Sequence, residues 1–265
     1  MQSDGKKQLE QDRLKEMIKA LIHNMGGKFS TQLGIDLGGA DPDNIFRWFL
    51  ASKLFAARIS TEIAIKTYRL FERNGVTTPG KILETGWDGL VKLLDDGGYV
   101  RYDFSTATKL LAIIKDLLDR YGGDLNLLHL KAKDKKDLEN RLKDLGKGVG
   151  EVMVNIFLRE LRGVWEKAEP PLSELVLLAA GRLGLLEVMI SGKGGDALSK
   201  LMEIWNKYSC KLEFERKVDF CDFEAALLRT GKDFCKKTRC DTCPMQEYCE
   251  YYINTNKNNS RRGFS

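Results

Sequence analysis

Apolar residues recur along most of this chain with a period of about 3.6 residues, which is the period of one face of an α-helix. Glycine or proline separates many of the apolar runs, and no run alternates apolar and polar residues as a half-buried strand does. The pattern therefore predicts an all-α protein. Helices are expected at residues 7–24, 43–56, 60–73, 79–84, 86–95, 104–121, 135–145, 150–163, 172–186, 194–208 and 217–231.

The predicted helices divide into two lobes. One helical lobe is expected over residues 36–145, and it ends in the first helix of a hairpin. The second lobe is expected to combine residues 1–35 with residues 146–252, including a cysteine-rich loop at 235–249. The last residues, 253–265, are mostly polar, and a segment with so little apolar surface is expected to be disordered.

The composition is that of a globular protein with a modest excess of positive charge. Apolar residues make up 43% of the 265 residues, charged residues make up 31%, and the formal net charge is +5. A basic excess of this size is compatible with a polyanionic partner. No apolar run approaches the roughly 18–20 residues of a transmembrane helix, and the N-terminus is charged throughout. We therefore expect an intracellular location, in the cytoplasm or nucleoid, and no membrane partner.

Four cysteines near the C-terminus follow the spacing C-x4-C-x2-C-x5-C, in a stretch that is otherwise polar and basic. Thiols stay reduced inside the cell, so clustered cysteines favour a metal over disulfides. A structural zinc site usually has two short cysteine pairs separated by a longer loop, whereas three short unequal gaps favour a [4Fe–4S] cluster. Zinc and paired or idle thiols remain the alternatives. The four predicted ligands are Cys235, Cys240, Cys243 and Cys249, whereas Cys210 and Cys221 are expected to be buried structural residues.

A glycine-rich turn lies between two predicted helices in the sequence LKDLGKGVGE, residues 142–151. Gly146, Gly148 and Gly150 allow backbone N–H groups to point outward at the start of the next helix, where an anion such as a phosphate is favoured. Lys143 and Lys147 add positive charge at the same place. The alternative is a plain turn between two packed helices.

Four segments together carry a resemblance to a known family. They are NIFRWFLASKLFAARISTEIAIKTYRLF (44–71), LKDLGKGVGEVMVN (142–155), LLAAGRLGL (177–185) and LLRTGKDFCKKTRCDTCPMQEYC (227–249). Over residues 36–252 the chain resembles the helix-hairpin-helix DNA glycosylase superfamily, in its endonuclease III and adenine-glycosylase branch. The resemblance implies a two-lobed all-α fold with a C-terminal [4Fe–4S] loop. It also implies double-stranded DNA as partner, a base flipped into a cleft, and a hairpin that holds the DNA backbone.

The chain departs from that family where the chemistry is expected. The lysine that attacks the sugar in bifunctional members corresponds to Val152, and a valine cannot form a Schiff base. The catalytic aspartate corresponds to Ser173 when counted from the following helix, or to Pro170 or Glu169 when counted from the hairpin. Glu169 or Glu174 could supply the carboxylate. Alternatively, Ser173 only caps a helix and the two glutamates are solvated acids in its first turn.

Two further groups of residues are candidates for contacts with DNA. Lys236, Lys237 and Arg239 lie beside the cysteines, in a loop that is basic and contacts phosphates in the family that the chain resembles. Arg101 and Tyr102 follow a glycine pair before a helix, where the same resemblance implies the border of the pocket.

The functional prediction has two forms that differ in chemistry. In the first, the protein is a monomeric, monofunctional DNA glycosylase that flips and excises a damaged or mispaired base. In the second, the protein has lost catalysis and binds damaged or distorted DNA. Iron–sulfur electron transfer without DNA is a third class, but it would leave the lysine-bearing glycine hairpin unexplained.

Overall fold

The computed structural model describes residues 2–186, 194–210 and 212–255, and within these ranges it contains helices and no strand. The all-α prediction is confirmed. The α-helices are α1 (Gln2–Met25), α2 (Phe29–Gln32), α3 (Pro42–Phe55), α4 (Thr61–Arg73), α5 (Pro79–Gly97), α6 (Asp103–Tyr121), α7 (Leu125–Lys131), α8 (Lys135–Lys143), α9 (Glu151–Arg159), α10 (Glu174–Arg182), α11 (Gly194–Ser209) and α12 (Phe220–Arg229). None of the described helices is both long and apolar enough to cross a membrane.

Side-chain caps explain where many helices begin. The carboxylate of Asp41 accepts a hydrogen bond from the backbone N–H of Asn44, and Asp134 caps α8 in the same way. Pro79 occupies the first turn of α5, where its missing N–H costs nothing. At the other end of α6, Gly122 adopts a left-handed conformation that stops the helix. Local chemistry therefore fixes these boundaries without help from tertiary packing.

Several observed helices begin or end a few residues away from their predicted limits. The predicted break near residue 85 is present, because Gly86, with a φ of +65° and a ψ of −179°, divides α5 into two helical parts. Helices α2 and α7 were not predicted, because elements of 4 and 7 residues are too short to show a helical period. The helix predicted over 150–163 ends at Arg159, where the chain enters a series of turns.

The described residues group into two compact units. The central unit is Ser30–Pro170, and the terminal unit combines Met1–Phe29 with Pro171–Ser265. These bounds differ from the expected lobe boundaries at 36 and 145, because α9 packs against α3 and keeps the segment up to Pro170 in the central unit. Residues 253–255 continue a helical turn, and the disorder predicted for 256–265 lies outside the described residues.

Helix α3 forms the middle of the central unit, and most of its side chains are buried. The indole N–H of Trp48 donates a hydrogen bond to the carbonyl oxygen of Phe157 in α9, at 3.0 Å. The ring of Phe49 meets the ring of Phe157 edge-on, with centroids 5.4 Å apart. Burying these aromatic rings stabilises the pairing of α3 with α9. The C-terminal half of α9 is thereby held against α3.

The terminal unit has its own apolar core, formed by α1, α10, α11 and α12. Helix α12 continues directly into a π-helical turn, Thr230–Cys235. Gly231 in that turn lies so close to α10 that an added Cβ would be 2.1 Å from the carbonyl oxygen of Leu175. Only glycine permits this approach, so the packing of α10 fixes the position of the first clustered cysteine.

Candidate nucleic-acid interface and cysteine cavity

The hairpin loop runs from Asp144 to Gly150, between α8 and α9 of the central unit. Gly146 and Gly148 have φ values of +143° and +100°, a region that favours glycine. The side chains of Leu145 and Val149 are buried and anchor the loop to the core. The turn thus presents backbone groups outward while its apolar side chains point inward.

Helix α9 begins without a side-chain cap, because its N-cap residue is Gly150. The partial positive charge of the first turn favours an anion, and the exposed carboxylate of Glu151 in the same turn offsets part of it. Lys147 is exposed and forms no ion pair with a described residue, whereas Lys143 Nζ lies 3.9 Å from Glu139 and 3.8 Å from Glu151. These distances leave Lys143 only loosely paired. The DNA-contact prediction for Lys143, Lys147 and the three loop glycines stays a prediction, made on a suitable geometry.

Two lysines that the sequence analysis did not select lie beneath this loop. A Cβ on Gly148 would lie 3.3 Å from Nζ of Lys53, in α3, and 3.0 Å from Cδ of Lys109, in α6. Lys53 is only 7% exposed, and its burial, followed by the charge of Lys109, lowers its pKa to about 8. In the sequence, the one sign that Lys53 is buried is its place on the apolar stripe of the segment FRWFLASKLF.

The four clustered cysteines line one small cavity of the terminal unit. Arg182, Phe234, Gln246 and Tyr252 complete its wall. The Arg182 guanidinium donates a hydrogen bond to the carbonyl oxygen of Cys235 at 2.8 Å, and the Cys249 thiol donates to the carbonyl oxygen of Arg182 at 3.4 Å. Arg182 therefore links the first and last cysteines of the run, which are 14 residues apart in the sequence.

The cavity suits a soft metal group with thiolate ligands. Burial raises the pKa of Cys235 to about 11 and also raises the pKa values of Cys243 and Cys249, so a bound metal would have to displace their protons. Among the described residues, no three His, Cys, Asp or Glu side chains converge on a point where one metal ion could bind.

The remaining cysteines divide between surface and interior. Cys221 is buried, as expected, but Cys210 is exposed, so the expectation of a buried structural role is wrong for Cys210. It follows α11 directly, beyond the apolar face of that helix.

The basic loop residues follow the π-helical turn and lie at the surface. Lys236, Lys237 and Arg239 are exposed, and Lys237 Nζ lies 3.6 Å from the carboxylate of Asp233. Thr238 has a φ of +50°, which turns the chain sharply between the cations. Their phosphate contacts stay a prediction.

Arg101 and Tyr102 lie next to each other before α6, and their place at the border of a pocket stays a prediction. The Arg101 guanidinium carbon lies 5.7 Å from the centre of the Tyr102 ring. Tyr102 in turn meets the edge of the buried Tyr99 ring, with centroids 6.3 Å apart. Nearby, the exposed rings of Trp87 and Phe104 lie 5.4 Å apart, a pair that the sequence analysis did not select.

Comparison with known proteins places the chain in a family. No protein-family model matches it. The curated Endonuclease III of Rickettsia felis is 30% identical over 214 residues, which are 79% of this chain and 84% of that relative. The chain belongs to the endonuclease III family. Endonuclease III of Rickettsia prowazekii is 29% identical over 216 residues, 80% of this chain and 86% of that protein. The resemblance to the helix-hairpin-helix DNA glycosylase superfamily, in its endonuclease III branch, is thereby confirmed.

Two positions of this chain are predicted to correspond to catalytic residues of the endonuclease III family. Val152, which is predicted to correspond to the lysine of bifunctional members, lies in the first turn of α9 and is 64% exposed. An exposed aliphatic side chain on a helix N-terminus has no role in packing the core. The position is open to solvent, but its side chain cannot act as a nucleophile.

The position predicted to correspond to the catalytic aspartate of the family lies directly before α10. Ser173 Oγ accepts a hydrogen bond from the backbone N–H of Val176 at 3.4 Å, so the hydroxyl caps α10. Glu174 follows it in the terminal unit, is exposed, and makes no hydrogen bond or ion pair with a described residue. Glu169 belongs to the central unit and pairs with Lys135 at the surface. The assignment of a catalytic role to Ser173, Glu174 or Glu169 stays a prediction.

Proposed function

We propose that the protein is a monofunctional DNA glycosylase, which flips a damaged or mispaired base out of double-stranded DNA and cleaves its N-glycosidic bond. The observation that carries this proposal is Val152 at the position of the lyase lysine. An enzyme without an amine there uses water as the nucleophile and leaves an abasic site intact. We further propose that it acts as an intracellular monomer.

Glu174 is our first candidate for the catalytic carboxylate. A glycosylase must stabilise positive charge that develops on the sugar, and a nearby carboxylate can do so or can activate water. Glu174 is exposed in the first turn of α10, and no described cation pairs with its carboxylate. Glu169 is the second candidate, but its partner Lys135 offsets part of its charge. Ser173 supports the site as the cap of α10 rather than as an acid or base.

Backbone contacts supply the affinity for DNA. We propose that the hairpin residues Lys143 and Lys147, with the N–H groups of Gly146, Gly148 and Gly150, bind one stretch of phosphates. Lys236, Lys237 and Arg239 would bind another. Such contacts position the protein on the duplex and carry no information about the base. Arg101 and Tyr102 are our candidates for contacts with the flipped base.

A [4Fe–4S] cluster bound by Cys235, Cys240, Cys243 and Cys249 is part of this proposal. The family generally carries one, and the four thiols share a cavity. When bound, the cluster would supply four cross-links that hold the basic loop in one conformation, because ligation couples the metal to local folding. The chemistry of base removal would fall to the side chains and water.

The test is a cleavage panel on labelled duplexes, each incubated with and without hot alkali afterwards. The substrates are uracil, hypoxanthine, oxidised and alkylated bases, mismatches and an abasic site. Strand breaks that depend on alkali on at least one substrate are expected. Breaks without alkali would contradict the monofunctional assignment and would require an amine other than the side chain at 152.

The second candidate function is binding without catalysis. It is favoured by two contacts: Ser173 uses its hydroxyl as a helix cap, and Glu169 is engaged by Lys135. In that case every substrate in the panel stays intact, while binding to distorted duplexes remains tight and falls with added salt.

A further inference from the structure

Lys53 and Lys109 are two cations that face each other beneath the hairpin loop without an acidic partner. Lys53 is 7% exposed, and neither lysine forms a hydrogen bond or ion pair with a described residue. A buried charge is costly unless something pairs with it, so cores rarely keep one. A second cation nearby raises that cost. Lys53 therefore lacks a purely structural reason to be a lysine.

The loop above the two lysines offers hydrogen-bond donors as well. The backbone N–H groups of Lys147, Gly148 and Gly150 donate to no acceptor among the described residues, whereas those of Gly146 and Val149 are bonded within the turn. Adjacent free N–H groups in a glycine turn, such as those of Lys147 and Gly148, form a concave site that favours anions. Lys53 Nζ and the Lys109 side chain both approach Gly148, whose own N–H is one of these three groups.

The absence of a side chain at Gly148 leaves room between the hairpin loop and the side chains of Lys53 and Lys109. Its φ of +100° already disfavours any other residue, and a Cβ would press against both lysine side chains, 3.0 Å from Lys109 Cδ and 3.3 Å from Lys53 Nζ. The missing side chain leaves the buried ammonium group next to the open backbone of the loop. An anion that reaches the loop would therefore meet Lys53 directly.

We propose that Lys53 and Lys109, together with the N–H groups of the hairpin loop, bind one phosphodiester group of the DNA backbone. The inference rests on the proposed function for the identity of the anion. The pair of side chains from α3 and α6 adds two charges to a contact that the hairpin would otherwise make through its backbone. A bound phosphate would supply the counter-charge that the described residues do not give to Lys53.

The closing experiment compares DNA binding by the full-length wild type with three variants, Lys53→Met, Lys109→Met and Lys115→Met. Lys115 is an exposed lysine on α6 and serves as the matched control. Binding to a duplex with a stable abasic-site analogue is measured by anisotropy over about 50 to 200 mM salt. Lys53→Met and Lys109→Met are each expected to lose about tenfold in affinity and about one in the slope of log affinity against log salt. Lys115→Met should match the wild type.

A second readout separates failure of this site from failure of the proposed function. The melting temperature is measured in inorganic phosphate and in chloride at equal ionic strength. A rise in phosphate that is lost in Lys53→Met but kept in Lys115→Met supports the anion site. Wild-type affinity and salt slope in both Lys53→Met and Lys109→Met would overturn the inference and leave the glycosylase proposal standing. A wild type that binds no DNA would overturn the proposed function, and with it DNA as the ligand of this site.

Discussion

Replacing Lys53 with methionine should make the folded protein more stable at neutral pH. Burial and the charge of Lys109 lower the pKa of Lys53 from its usual 10.5 to about 8. That difference corresponds to about 3 kcal/mol, at about 1.36 kcal/mol for each pH unit. Methionine has a similar length and no charge, so it removes this penalty and keeps the packing around α3.

The direction of the pH dependence follows from the lowered pKa. Below about pH 8 both the folded and the unfolded chain hold the proton on Lys53, and the folded state bears the full penalty. Between about pH 8 and 10.5 the unfolded chain still binds the proton while the folded chain releases it, so wild-type stability rises relative to the variant. The advantage of Lys53→Met should therefore be largest at pH 7 and should shrink as the pH approaches 10.5.

Urea unfolding of both proteins at about pH 7 and about pH 9.5 measures the difference. Lys115→Met is the control, and an exposed substitution of this kind should change the free energy of unfolding by less than about 0.5 kcal/mol. A Lys53→Met variant that is no more stable than wild type at neutral pH would refute the reasoning. A difference in the free energy of unfolding between Lys53→Met and wild type that does not decline as the pH rises would also refute it. Lys53 would then not be an uncompensated buried cation.

Three further predictions concern the site and the cysteine cavity. Val152→Lys should introduce a Schiff base with abasic DNA, trapped by borohydride, that the wild type does not form. Glu174→Gln should slow base excision by about 100-fold or more without weakening DNA binding, and Glu169→Gln should have a smaller effect. Gly231→Ala should destabilise the terminal unit by about 2–4 kcal/mol and lower the iron content, because its Cβ would overlap the carbonyl oxygen of Leu175. Thermal melting and iron analysis measure that change.

Each of these predictions has an outcome that contradicts it. Trapping of abasic DNA by the wild type would show that an amine elsewhere acts as the nucleophile. Full activity in Glu174→Gln would show that another group is the catalytic carboxylate or base. A Gly231→Ala protein with wild-type stability and iron content would show that the π-helical turn can shift away from α10. Gly34→Ala is a comparison variant. The added Cβ there would meet nothing within 4 Å, but φ is +73°, so its effect on stability measures backbone strain without an overlap like the one at Gly231.

The sequence predicted features that depend on local chemistry. Ser173 has the residue type and position of an N-cap, and it caps α10. The four clustered cysteines are close in the sequence, and they share one cavity. A break between two helices was expected at residue 85, and the non-helical backbone of Gly86 divides α5 at that place. In each case the deciding interactions lie within a few residues of one another, where spacing alone is informative.

Features that depend on packing could not be read in the same way. A lysine in a helical sequence is expected to be solvated, so the burial of Lys53 emerges only when α3, α6 and the hairpin are brought together. The inclusion of α9 in the central unit has the same origin, because its aromatic contact with α3 spans more than 100 residues of sequence. Periodicity identifies a buried face but not the element that covers it.

The terminal unit is assembled from both ends of the described chain, and this affects the order in which the two units fold during synthesis. Arg13 in α1 donates a hydrogen bond to the carbonyl oxygen of Tyr248, 235 residues later. The central unit, in contrast, is one continuous segment that can fold while the ribosome is still translating. We expect pulse proteolysis of stalled nascent chains to find the central unit protected and α1 cleavable until the residues around Tyr248 have emerged. We therefore expect the apolar face of α1 to stay uncovered until the residues around Tyr248 have been synthesised.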